Sequence, residues 1–196
     1  MRQAARLVVA VVTLGLLVAG CTDDPAPVET TPASTPSPTP TAPATPSPTP
    51  TLEAATAPTR PEEMSTASAD GAAAAASYLL SLYPYARSTG DIAAWEALSG
   101  EECTFCASVS QEVADLTARQ ESVRGGTITI ESATGTEIIA GESYSAELVF
   151  TESPTETWRD SSLVSTGDGG RYEALVVLRW TATEWEVRAV DLTPAP

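Results

Sequence analysis

The sequence predicts an α+β domain in which N-terminal helices pack on a curved antiparallel sheet of four to five strands. Three observations carry this. Apolar residues between positions 72 and 116 recur every three or four residues, the period of a helix with one buried face. From Thr127 onward the period changes to two, the period of a half-buried strand. The last two apolar runs end at Trp180 and resume at Trp185, close enough to be a hairpin. Helices first and strands afterwards is the α+β pattern.

The chain opens with Arg2 and Arg6, then an uncharged run over 7–20 that ends Leu17-Val18-Ala19-Gly20 before Cys21. This is a charged region, an apolar region and a small-residue cleavage site, the layout of an export signal over 1–20. About 14 apolar residues fall short of the roughly 20 that a helix needs to span a bilayer. The pentapeptide ending in Cys21 resembles the lipobox of bacterial lipoproteins. That resemblance implies diacylglyceryl and further acyl chains (palmitate) on the Cys21 thiol, and a mature chain beginning there.

Residues 21–62 read as a disordered linker. Between Thr22 and Arg60 the chain places 11 of its 16 prolines among Thr, Ser and Ala, and Thr-Pro-Ser-Pro-Thr-Pro occurs at 35–40 and at 45–50. Proline fixes φ and removes a donor, so extended polyproline II without internal hydrogen bonds is expected. At about 3.1 Å per residue such a stalk reaches roughly 120 Å when fully extended. Its Ser/Thr-Pro composition also suits O-glycosylation.

The domain is placed at 63–194. Asp70 is the expected N-cap of a first helix through Ala72 to Leu82, with Ala75, Leu79, Leu82 and Ala86 on its buried face. Pro84 is expected to kink or shorten it near Leu80. Gly90 suits a C-cap, and Asp91 the cap of a short helix carrying Ile92, Trp95 and Leu98. Ser99 with Glu102 is a capping-box pattern for a third helix with the stripe Phe105, Val109, Val113 and Leu116, ending at Gly125-Gly126.

Ile128 and Ile130 open the strands; Tyr144, Ala146, Leu148 and Phe150 alternate along the next. Residues 137–142 read as an irregular connection, and 157–165, around Trp158, Leu163 and Val164, as one weak strand. Gly167-Asp168-Gly169-Gly170 turns the chain into the strongest strand, where Tyr172, Ala174, Val176, Leu178 and Trp180 share a face. A last strand covers 185–192.

This order, with Ser-Thr-Gly-Asp after the first helix and a closing Trp-Glu-Val-Arg strand, resembles the nuclear-transport-factor-2-like cone. More narrowly, residues 64–192 resemble an uncharacterised domain family of actinobacterial lipoproteins, on Tyr83-Pro84-Tyr85-Ala86, Thr89-Gly90-Asp91 and Cys103-Thr104-Phe105-Cys106. The cone fold includes isomerases and cyclases that use an Asp base with tyrosine donors. No such motif is matched here residue by residue, so the resemblance assigns no catalytic residue.

Composition excludes several function classes. The formal charge is −16, and loss of Arg2 and Arg6 with the signal makes the mature chain more acidic still. An acidic chain lacks the basic face that nucleic acid requires, and a solubilising surface is the plain reading. With no His, neither a Ser-His-Asp nor a Cys-His pair can form, nor an imidazole metal site. Cys103 and Cys106 form a pair at the head of a helix. A structural disulfide, a redox pair and free thiols all fit that spacing; outside a membrane, oxidation is expected. No cofactor or metal is expected. Tyr83, Tyr85, Tyr144 and Tyr172 are the pocket candidates, because a buried hydroxyl needs a partner.

The expected role is a lipid-anchored envelope module on the outer face of the cytoplasmic membrane. It would extend into the cell wall and bind an envelope protein or small ligand without catalysis. The alternatives are a thiol–disulfide oxidoreductase using Cys103 and Cys106, an isomerase- or cyclase-like cone enzyme, and a spacer without a ligand.

Overall fold

A computed structural model describes residues 55–196. The signal, Cys21 and the linker as far as residue 54 lie outside the described residues. Residues 55–61 carry no helix or strand, and Arg60 pairs with Glu184. A 3-10 turn, Glu62–Ser65, buries Met64, whose carbonyl accepts from Trp185 Nε1 at 3.0 Å.

Three helices follow: α1 (Ala69–Thr89), α2 (Ala93–Leu98) and α3 (Thr104–Ala118). Helix α1 is capped by Ser68, whose hydroxyl accepts from Gly71 N at 3.0 Å. Asp70 falls inside the first turn instead, where its charge suits the helix dipole. Gly90 closes α1 with φ 78°, as its lack of a Cβ predicts. Pro84 does not shorten the helix, which runs through it to Thr89; the ring costs one backbone bond at a position where Leu82 and Ala86 hold the helix to the core. Asp91 Oδ1 accepts from Ala93 N at the head of α2. The capping box at Ser99 is not used. Residues 101 and 102 form a turn, Gly100 N donates to the Val187 carbonyl, and Cys103 caps α3 through its sulfur.

Among the described residues seven strands form two antiparallel sheets, where one sheet of four to five was expected. They are β1 (Glu121–Gly125), β2 (Ile128–Ile139), β3 (Ser143–Glu152), β4 (Thr155–Arg159), β5 (Ser162–Gly167), β6 (Gly170–Thr181) and β7 (Glu184–Pro194). The larger sheet has the order β2-β3-β6-β7, the smaller β1-β4-β5. Two local features account for the difference. Gln120 turns left-handed at φ 55° and ends α3 early, so β1 replaces the expected helix tail. Asp160, at φ 53°, folds the single weak strand into the β4–β5 hairpin.

The two sheets meet at a corner. Residues 126–127, 153–154 and 168–169 all leave the ladder together, and Gly126 N donates to Pro154 O while Ser153 N donates to Thr127 O. Gly125, Gly126 and Gly169 take positive φ there, which glycine alone adopts without strain.

The inner face of the larger sheet carries Tyr144, Ala146, Leu148 and Phe150 of β3, Ala174, Val176 and Leu178 of β6, and Trp185 and Val187 of β7, all buried. Bulges reset the alternation. After the register shift opposite Val177/Leu178, Val190 and Leu192 continue the inward face of β7. After the shift at Ile130/Ser132, Gly135 lies opposite Ala146.

Helix α1 covers this face as a wedge. Its first half presents Gly71, Ala72, Ala75 and Ala76, and its second half Leu79, Leu80, Leu82 and Tyr83. The thin end lies against β2: a Cβ on Gly135 would stand 1.8 Å from the Ala69 carbonyl oxygen. From Ala69 to Tyr83 the helix rises about 21 Å, and from Gly135 back to Ile128 the strand spans about 23 Å. The thick end of α1 thus stands over the corner end of the sheet.

Gly135→Ala should cost about 1–3 kcal/mol by forcing the thin end apart. Urea unfolding of the full chain measures this, and an unchanged midpoint would contradict the close approach.

Candidate functional site

Where the bulky end of α1 holds the helix off the sheet, a cavity of about 200 Å³ opens among Leu80, Tyr83, Phe105, Ile128, Phe150, Glu152, Tyr172 and Leu192. Seven of these are aliphatic or aromatic; Glu152 is the one carboxylate. Wider depressions exist, of about 380 Å³ on the outer face of the sheet around Glu147, Glu173 and Asp191 and about 420 Å³ beside Glu101 and Glu186. Both are lined largely by exposed polar side chains, so size alone does not select them.

Glu152 reaches the cavity through the pleat of β3. Tyr144, Ala146, Leu148 and Phe150 point inward, and the next residue on that face is Glu152, in register with Ile128 on one side and Gly170 on the other. Burial pushes its carboxyl above the usual glutamate value of 4.5; Arg87 opposes this and Glu112 adds to it. Arg87 Nη1 stands 3.7 Å from Glu152 Oε1, while Arg87 Nε donates to Glu112 Oε1 at 2.9 Å. The same guanidinium lies 4.8 Å from the Tyr83 ring centroid. One positive charge therefore serves two carboxylates, leaving the cluster net negative.

The four tyrosine candidates separate. Tyr83 and Tyr172 are brought together at the cavity, where the Phe150 and Tyr172 rings lie 5.6 Å apart, tilted by 30°. Burial raises the Tyr83 hydroxyl to about 12, with Arg87 pulling the other way. Neither hydroxyl finds a hydrogen-bond partner among the described residues, whereas those of Tyr85 and Tyr144 do. Tyr144 is a core residue outside the cavity. It is fully buried edge-on to Trp185, and its hydroxyl donates to Glu137 at 3.0 Å. Tyr85 is outside it as well, donating at 2.9 Å to Asp91 in the connection between α1 and α2. A single helix face cannot hold both Tyr83 and Tyr85, two residues and about 200° apart.

Cys103 and Cys106 lie at disulfide distance, with sulfurs 2.05 Å apart, and both residues are about 1% exposed. Trp95 packs on Phe105 at 6.1 Å and on Tyr83 at 6.4 Å, and its Nε1 donates to the Cys106 carbonyl. The bridge thus fixes the start of α3, which carries Phe105 into the cavity wall. Thiol–disulfide exchange requires an accessible sulfur, and this pair is enclosed. No group of three or more ligating side chains suited to a metal occurs among the described residues.

The residues missed by sequence reasoning are Glu152, Arg87 and Glu112. The period-two face of β3, carried one step past Phe150, would have found the first. Arg87, four residues after Tyr83, shares its helix face; Glu112 on α3 has no local signal.

Burial gives Glu152 a folded-state value above the unfolded one. Its stabilising contribution is therefore complete below the unfolded value and is lost as pH rises through the folded value. Glu152→Gln should match the wild type at pH 3 and melt at a higher temperature at pH 7. A lower melting temperature at pH 7 would show that the Arg87 pair outweighs burial.

Among solved structures, the intermembrane space region of the chloroplast protein ARC6 is similar at TM-score 0.51 and 12% identity, covering 65% of this chain and 98% of that one. At that identity the likeness concerns the fold alone. A proposed polyketide cyclase from Xanthomonas campestris pv. campestris aligns over 60% of this chain and 88% of its own at 14% identity, with TM-score 0.28, too low to carry an argument. No curated protein matches. The model of a family of unknown function (DUF6318) matches residues 38–191. That span is most of the chain and nearly all of the folded domain, and the protein belongs to this family.

Proposed function

We propose that the chain is a lipid-anchored envelope protein whose domain is a non-catalytic binding module, held off the membrane by its Pro-rich stalk. The observation that carries the binding role is the cavity under α1. It sets apolar walls around one partly desolvated carboxylate and two tyrosine hydroxyls without partners among the described residues. Tyr83, Glu152 and Tyr172 are half-buried, so their polar atoms stand at the cavity mouth with hydrogen-bonding capacity open to a ligand. Pockets for small ligands have this make-up, though most are larger, roughly 300–1,000 Å³. A space of about 200 Å³ suits a single ring or a short branched chain.

The fold is read as a nuclear-transport-factor-2-like cone: three helices laid on a sheet that bends at a glycine- and proline-built corner, with the opening between α1 and the sheet. The anchor and the location rest on the Arg2/Arg6, apolar-run and Cys21 pattern. No helix among the described residues is long and apolar enough to cross a membrane, so the acyl chains on Cys21 would be the attachment.

A second reading has one observation in its favour. Glu152 is a carboxylate with a raised proton affinity beside Tyr83 and Tyr172, the pairing that general acid–base chemistry requires. Its ion pair with Arg87 favours the charged form and ties the side chain to the wall, which suits binding better than proton transfer. Substrate turnover abolished by Glu152→Gln would decide for this second reading.

The wild-type chain expressed with its own signal should enter the detergent phase on Triton X-114 partition, and Cys21→Ser should move it to the aqueous phase and the medium. Wild-type protein recovered from the aqueous phase would remove the anchor.

A further inference from the structure

The geometry points to a small ammonium ion with an aromatic or branched apolar body as the occupant of the α1 cavity, its body among Leu80, Phe105 and Phe150 and its charge against Glu152. The inference rests on the binding role proposed for this cavity and names the chemistry of its ligand.

Four properties converge on a cation. First, the lining contains a carboxylate and no basic side chain. Arg87 stands behind Glu152 and is already engaged by Glu112, so the three charges sum to one negative. An entering anion would meet that excess; an entering cation would neutralise it. Second, four of the lining residues, Tyr83, Phe105, Phe150 and Tyr172, are aromatic, and an ammonium near the face of such a ring gains from its quadrupole. Arg87 already uses the Tyr83 ring in this way, 4.8 Å from its centroid.

Third, Glu152 and the two hydroxyls without partners among the described residues offer acceptors for the three N–H donors of a primary ammonium, which has no acceptor of its own. A neutral alcohol would satisfy one of them. Fourth, the chain carries 26 acidic residues against 10 basic ones, so its field draws cations towards the opening and repels carboxylates. The volume of about 200 Å³ limits the body to about one ring with a short arm, since an engineered apolar cavity of about 150 Å³ holds benzene. The loss of water from Glu152 opposes binding, but that loss is already partly made in the folded domain, where burial raises its proton affinity.

An isosteric series tests this on the full-length chain by titration calorimetry: 2-phenylethylamine, 2-phenylethanol and 3-phenylpropanoate. The amine should bind about tenfold or more tightly than the alcohol, and the carboxylate should give no heat. Glu152→Gln should bring the amine down to the affinity that the variant shows for the alcohol, and retained binding of the alcohol shows that the variant is folded. Leu80→Trp, which fills the cavity, should abolish both. Equal affinities for amine and alcohol in the wild type would overturn the proposal while leaving the cavity a binding site. Amine binding that survives Leu80→Trp would place the amine on the acidic surface and overturn it too. Failure of all three compounds would remove the binding role itself.

Discussion

Helix α1 can lie against β2 at Gly135 because neither partner puts a side chain between them: Ala69 meets a glycine whose sheet neighbour is Ala146. Everything at the opposite end of the helix follows from that contact. A rigid helix pinned to the sheet at its N-terminal end, with alanines for its first turns and leucines and a tyrosine for its later ones, must diverge from the sheet toward Tyr83. The 3-10 turn before it adds a second clamp, since a Cβ on Gly71 would stand 2.2 Å from the Thr66 carbonyl. Trp185 fills the space beneath this clamp and ties it to β7 through Met64. The thin end is packed solid; the thick end leaves a gap whose floor is the corner between the two sheets.

The corner itself is a backbone device. Three strands break at one level, and the positive-φ glycines with Pro154 make the break without a ladder to restore. Glu152 is the last residue before it, so the inward row of β3 ends in a carboxylate where the helix no longer covers the sheet. A charge at that place is partly desolvated but within reach of Arg87, which explains why it is tolerated: burying an ion alone would be far costlier. The bridge between Cys103 and Cys106 serves the same region by fixing where α3 begins and hence where Phe105 stands.

Much of this was legible in the residues. The change of period near Thr127 separated helices from strands, Gly90 marked the end of α1, and the antiparallel hairpin of β6 and β7 followed from two alternating runs with a short connection. What the residues hid was long-range. The stretch from Arg119 to Arg124 contains no glycine or proline and reads as helix, yet pairing with β4 makes part of it a strand, and context of that kind overrides propensity. Ser99 and Glu102 carry the spacing of a capping box, but Gly100 is already bonded to β7, so the helix starts at the cysteine instead. The hydroxyl of Tyr144 makes it a pocket candidate in the sequence; Glu137, exposed across the β2–β3 hairpin, satisfies that hydroxyl where it reaches the edge of the core. Glu152 was within reach of the sequence, since one further step of the alternation places it inward. The Arg87–Glu112 contact joins residues 25 positions apart on different helices, and no local pattern encodes it.

The central claim is that the packing of α1 leaves an apolar space at its C-terminal half, and xenon reports on such a space directly. In a crystal of the domain pressurised with xenon, the gas should occupy a site in contact with Leu80, Phe105 and Phe150, and no site should lie between Ala72 or Ala75 and the sheet. Xenon absent from the first place, or present along the alanine half of the helix, would contradict the wedge.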